Sequence, residues 1–307
     1  MTNLEWLLCG DPTVIHLTKK YLLDIPSSSN DEGLITKYLN LYNRETFQWG
    51  NGYYGPKWIS THYTLLELKY MEIMPNNPIY QQSLLKYVDY WQALIQKRGI
   101  KDMDLCITGM MVNLMAYGKI IDQRLDEMIA YILDFGMADG GWNCTWNRCP
   151  KPKISSVHTT INVLEGLSEY ILNGYSYRRE EVKTAITNGI NVLLARNLYF
   201  VKGTNRPIHS SMTEHHYPQR WKYDYLRILE FLAKEKVPVT IKMAPALDLL
   251  VSRLVKGKLT RGPRLSGLIH FPIEQERFGR FNTLRAYIVL KWYKPELYHE
   301  LMNQTFI

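Results

Sequence analysis

The chain has 307 residues, is 46% hydrophobic and carries a formal net charge of +8, so it can bury a sizeable core and favours an anionic partner. Four cysteines in this length exclude a disulfide framework, and no 18-residue apolar run is present to cross a membrane. The positive charge is dispersed, with no Lys/Arg run resembling a nucleic-acid arm, and the expected setting is soluble, reducing and cytoplasmic.

Taken in chain order, apolar residues recur mostly at spacings of three and four, the mark of helices. Segments 79–96, 125–135, 180–196 and 242–255 are one-faced and predict amphipathic helices. Between them lies a second class, richer in apolar and small residues, at 60–71, 106–118, 158–171, 222–233 and 282–293. A helix apolar on most of its circumference belongs to an inner layer, and a one-faced helix to an outer one. Members of the second class recur roughly every 45 to 65 residues. The alternation therefore predicts an all-α fold: a single-domain (α/α) toroid of five helical hairpins, or six if the N-terminal segments count. Residues 1–45 are an N-terminal helical extension or the first hairpin, and the joints at 50–58 and 261–267 read as inter-helix loops.

A common grammar precedes several inner helices: a Gly or Pro turn, an aromatic residue, then polar residues on the first turn. It appears in "GPKWISTHY", "DGGWNC", "YPQRWKYD" and "FGRFNTLR". In a ring of hairpins these starts share one mouth, which would gather the helices' positive N-terminal poles and suit an anion. Trp58, Trp142, Trp221, Tyr223, Arg220, Arg280, Asn282 and Arg285 are the candidate substrate-binding residues there. Each tryptophan reads either as turn packing or as a substrate contact. Arg220, Asp224 and Arg227 share one helix face, either as an ion-pair ladder or as an arginine clamp oriented by Asp224 for a phosphate or carboxylate. His62, on an inner first turn, is a candidate base; the adjacent histidines of "EHH" (214–216) read as a loop.

"ILDFGMADGGW" (132–142) resembles the repeat of squalene and terpenoid cyclases, with Gly136 where that repeat has Gln. "SSVHTTINVLEGLSE" (155–169) is similar to the His-Thr helix of protein prenyltransferase β subunits, in which the histidine ligates zinc. The resemblance covers roughly residues 45 to 295. It implies the same toroid, a second subunit as an available partner, and zinc held by Asp104, Cys106, Cys144 and His158. The same residues have plainer readings: Cys106 as a small core residue, Asp104 as a helix N-cap, His158 as a carbonyl partner or cap. Cys149, in a Lys/Pro-rich loop, reads as a solvent-facing thiol. Neither the Asp-x-Asp-Asp acid of squalene-type cyclases nor the Asp-Asp-x-x-Asp metal motif of ionisation-type synthases occurs.

Three functions follow as expectations. The first is an enzyme acting on an anionic, largely apolar substrate of isoprenoid type, with His158, His62, Asp224 and Cys144 as catalytic candidates. The second is a carbohydrate-active toroid acting on an acidic sugar. The third is a non-enzymatic scaffold that binds a protein or nucleic acid.

Overall fold

The computed structural model describes residues 1–147 and 151–305; Cys149 lies outside them. Among the described residues the regular structure is helical, with strand-like pairing confined to isolated bridges. The helices are α1 (Asn3–Leu8), α2 (Pro12–Tyr21), α3 (Leu34–Leu39), α4 (Thr61–Tyr70), α5 (Pro78–Arg98), α6 (Leu105–Tyr117) and α7 (Gln123–Asp134). They continue with α8 (Val157–Leu172), α9 (Arg179–Leu194), α10 (Tyr225–Lys234), α11 (Ala244–Arg253), α12 (Arg280–Tyr293) and α13 (Pro295–Asn303). No described helix is long and apolar enough to cross a membrane.

The nine predicted segments all appear, and the two classes differ in burial as expected. Nearly every residue of α4, α6, α10 and α12 is buried, including the polar His62, Asn113, Arg227 and Asn282. By contrast α5, α7, α9 and α11 bury one face each. Local chemistry sets the starts. Asn77 caps α5, its Oδ1 accepting from the Ile79 and Tyr80 amides, and Pro78 follows at a position where the missing N–H costs nothing. Asp122 and Asp224 cap α7 and α10 in the same way.

The chain divides into two compact units. One comprises residues 1–41, 70–74 and 196–307, so the first 41 residues group with the C-terminal part of the chain. The other comprises residues 42–69 and 75–195. In this second unit α6 and α8 approach backbone to backbone. A Cβ at Gly166 would lie 2.2 Å from the Gly109 carbonyl oxygen, and one at Gly109 would lie 2.7 Å from the Val163 Cα. Only glycine fits at such a crossing.

The Asp-Gly-Gly-Trp turn is built onto the start of α8. Asp139 accepts from the Ser155 amide and hydroxyl at 2.9 and 3.0 Å, and the Trp142 amide donates to Thr160 Oγ1 at 3.2 Å. The Trp142 indole N–H donates to the Ile132 carbonyl at 2.8 Å, and its ring packs beside Gly189 of α9. At 2% exposure Trp142 is a packing residue of this turn.

Candidate functional site: an arginine-lined cleft

In the first unit, the segment between α11 and α12 folds back on itself and opens a cleft of about 730 Å³. Thr260 and Phe278 form an antiparallel bridge, with the Arg261 amide donating to the Arg277 carbonyl at 3.0 Å. Arg261 and Arg277 are therefore directly opposite one another, and both line the cleft together with Arg253. Like charges facing each other across a bridge repel. Gly262 turns the backbone at φ +71 beside the floor, where a Cβ would lie 1.9 Å from the His215 carbonyl oxygen. No L side chain fits that turn.

The floor is His215, 3% exposed. Its Nε2 faces the Thr260 carbonyl at 3.1 Å, which can only accept, so Nδ1 is left to accept from the Tyr225 hydroxyl at 3.2 Å. Burial lowers its pKa, which favours the uncharged ring. Glu214, at the rim, pairs with Arg253 at 3.6 Å.

Behind the floor runs a buried polar network that holds the cleft backbone. Arg285 donates through Nε to Glu230 at 2.6 Å and through Nη1 to the His216 carbonyl at 2.9 Å and Asn282 Oδ1 at 3.1 Å. Asn282 Nδ2 in turn donates to the Arg261 carbonyl at 3.1 Å. His216 Nδ1 donates to Asp224 at 3.3 Å, and the other Asp224 oxygen caps α10 through the Arg227 amide at 2.8 Å. Burial pushes the Asp224 carboxyl up, but the His216 hydrogen bond and the Arg285 charge outweigh it and hold it below its ordinary value. Asp224, Asn282 and Arg285 thus position the cleft segment through backbone and side-chain bonds.

The remaining predicted residues of this unit take separate places. Arg280 lies against α1, its guanidinium 4.7 Å from the Trp6 ring and its Nε donating to the Trp6 carbonyl at 3.3 Å. It shares no partner with Arg285. Arg220 is buried with φ +54, and Tyr223 is buried with its hydroxyl on the Leu198 carbonyl. Trp221 is half-buried under the Lys222 ammonium, 4.2 Å above its ring.

In the second unit, Cys106 and Cys144 are neighbours. The Cys106 amide donates to Cys144 Sγ at 3.2 Å, and Thr159 Oγ1 donates to the same sulfur at 3.4 Å. The closeness of the two thiols lowers the Cys144 pKa and raises that of Cys106. Asp104 holds the N-cap position of α6 without a capping bond from its side chain. His158, the second residue of α8, is half-buried, and its carbonyl accepts from Asn162 Nδ2 at 2.7 Å. Among the described residues no three of His, Cys, Asp and Glu gather as a metal-binding group. Of the four residues that the resemblance assigns to zinc, Cys106 and Cys144 are the pair in contact.

His62 is fully buried among Tyr54, Tyr63 and Tyr87, with Nδ1 2.9 Å from the Tyr87 hydroxyl. Burial, helped by the Lys57 charge, lowers its pKa to about 3, too low for a base working near neutrality. Trp58 is buried edge-on against Tyr63, with ring centroids 4.8 Å apart. Both side chains belong to an aromatic cluster.

Arg253, Arg261, Arg277 and His215 are the residues that reading along the chain misses. Their arginines are scattered over segments that read as the end of a helix and as loops, and "EHH" carries no helical spacing. The one available signal was the dense charge of "RGPRLSG" and "EQERFGR". Compared with known proteins, the chain matches no family model, no curated protein and no solved structure.

Proposed function

We propose that this chain binds an acidic carbohydrate in the arginine cleft of its first unit. The observation that carries the reading is the pairing of Arg261 against Arg277 across one bridge, with Arg253 on the same cleft. A carboxylate or sulfate set between them would relieve their repulsion and accept charge-assisted hydrogen bonds. Polar walls support a sugar: Ser252, Thr260 and Gln275 offer hydroxyl and amide partners, and Val255 and Pro263 are the apolar residues lining the cleft. Both ring nitrogens of His215 are engaged, so the proposal is one of binding. A prenyl diphosphate is the second reading; its support is the aromatic cluster around His62 in the other unit. The toroidal ring read from the helix alternation remains the proposed frame for either ligand.

The test is titration calorimetry with a short oligogalacturonate and its neutral galactose counterpart. Binding is expected for the acidic oligomer alone, weakening as salt screens the guanidiniums. One charge-assisted hydrogen bond is worth about 1.5–3 kcal/mol. Arg261→Ala and Arg277→Ala should therefore each weaken binding by about 10- to 100-fold. Equal binding of the neutral oligomer, or full affinity in the double variant, rejects the proposal. Binding of geranyl diphosphate that survives both substitutions would favour the second reading.

A further inference from the structure

Cys144 lies where two helices begin. Cys106, whose amide donates to its sulfur, is the second residue of α6, and Thr159, whose hydroxyl does the same, is the third residue of α8. These helices have 13 and 16 residues, long enough for their N-terminal poles to favour negative charge. The Thr159 hydroxyl also accepts from the Cys144 amide at 3.3 Å, which fixes the residue against α8. Two donors and a helix terminus around one sulfur are the surroundings in which a thiolate persists and reacts.

The second sulfur is within reach. With the Cys106 amide nitrogen 3.2 Å from Cys144 Sγ, the Cys106 Cα is at most about 4.7 Å from it. The Cys144 sulfur therefore lies within one side-chain length of the Cys106 backbone, the kind of proximity from which a disulfide closes. Both side chains are partly accessible, so a small oxidant can arrive. Cys9, the other free cysteine among the described residues, is exposed and belongs to the other unit.

We propose that Cys106 and Cys144 form a redox dithiol that closes to an intramolecular disulfide on meeting a hydroperoxide. The Cys144 thiolate attacks one peroxide oxygen of hydrogen peroxide; the O–O bond breaks, hydroxide leaves, and Cys144 becomes a sulfenic acid. The Cys106 sulfur then attacks the sulfenic sulfur, the S–O bond breaks, and the Cys106 proton leaves with the hydroxyl as water. The two sulfurs give up two electrons, and one peroxide becomes one water and one hydroxide, which takes up the proton Cys144 released on ionising and becomes the second water. The product ties the start of α6 to the turn that leads into α8. Thiol reductants reverse it by exchange. This site lies in the other unit from the arginine cleft.

The experiment exposes reduced, full-length protein to hydrogen peroxide, blocks the remaining thiols with N-ethylmaleimide in denaturant, and maps non-reduced peptides by mass spectrometry. The expected result is a linked Cys106–Cys144 peptide, lighter by two hydrogens and missing two alkylations, that dithiothreitol restores. Cys106→Ser should leave a sulfenic acid on Cys144 that dimedone traps, and Cys144→Ser should abolish the link. Full alkylation of Cys106 and Cys144 at peroxide doses that oxidise Cys9 overturns the proposal. A predominant link from either residue to Cys149 overturns it as well. The wild-type peptide map decides even where a variant fails to fold.

Discussion

Replacing Arg285 with leucine is expected to destabilise the first unit by about 3–5 kcal/mol, the usual loss when one partner of a buried ion pair is removed. Arg285 is 4% exposed and meets Glu230 at 2.6 Å. Its removal also leaves the His216 carbonyl and Asn282 Oδ1 without their guanidinium donor. Glu230 keeps Lys234 at 2.8 Å, but that ammonium sits on the more exposed side of the helix. Denaturant unfolding followed by circular dichroism measures the loss, and a change below about 1 kcal/mol would contradict it. The double variant Arg285→Leu/Glu230→Leu should recover part of the loss, because the uncompensated charge is then gone.

The same pair sets an acid limit. Burial acts to raise the Glu230 carboxyl, but the Lys234 and Arg285 charges overcome it and bring its pKa down to about 2, against an ordinary 4.5. A carboxyl depressed on folding contributes stability that is present above about 4.5 and lost as pH falls towards about 2. In Arg285→Leu the folded-state carboxyl rises, so less stability is lost below about 4.5 and the loss is complete at a higher pH. Glu274 has the opposite sign: burial outweighs the Arg280 and Phe281 amides and pushes it up to about 7. Its contribution is full below about 4.5 and is lost as pH rises through 7, so the two windows can be separated in one titration of stability.

Gly166→Ala is the second substitution with a large expected effect. Helix propensity alone predicts a gain of about 1 kcal/mol, since alanine is the better helix former. The new methyl, however, would stand 2.2 Å from the Gly109 carbonyl oxygen, which belongs to helix backbone and cannot swing aside. Separating α6 from α8 weakens packing between two helices whose residues are mostly buried. Such overpacking costs about 1–3 kcal/mol, and a backbone clash belongs at the upper end. A net loss of about 2 kcal/mol is expected, read as a fall in melting temperature of roughly 5 °C. Gly136→Ala is the control: its nearest neighbours would lie 3.7 Å away, an ordinary contact, and it should leave the melting temperature unchanged. A rise in Gly166→Ala would show that the helices part freely.

Helix existence and helix class were legible along the chain, because each depends on residues three or four positions apart. The 106–118 segment showed its burial in an almost unbroken apolar content and 158–171 in apolar residues at helical spacing, and α6 and α8 follow them within a residue or so. Asp224 looked like part of a ladder with Arg220 and Arg227; its position at the start of an apolar run was equally the mark of the cap it proves to be. Cys106 and Cys144 were singled out together through the resemblance to prenyltransferases, and they are neighbours.

What periodicity could not carry was which distant segments meet. Arg261 faces Arg277 because residues 259–261 and 277–279 pair across a loop, and hydrogen bonds between extended segments leave no helical spacing to read. Arg280 and Arg285 looked alike in sequence, yet five residues apart on a helix two side chains point about 140° away from one another. One consequently meets Trp6 of α1 and the other Glu230 of α10. Local chemistry along the chain specified the helices and their buried faces, since capping, propensity and apolar spacing act over one or two turns. The convergence of arginines on a cleft, and of two sulfurs on one another, came from long-range packing, where burial selects contacts that neighbouring residues do not encode.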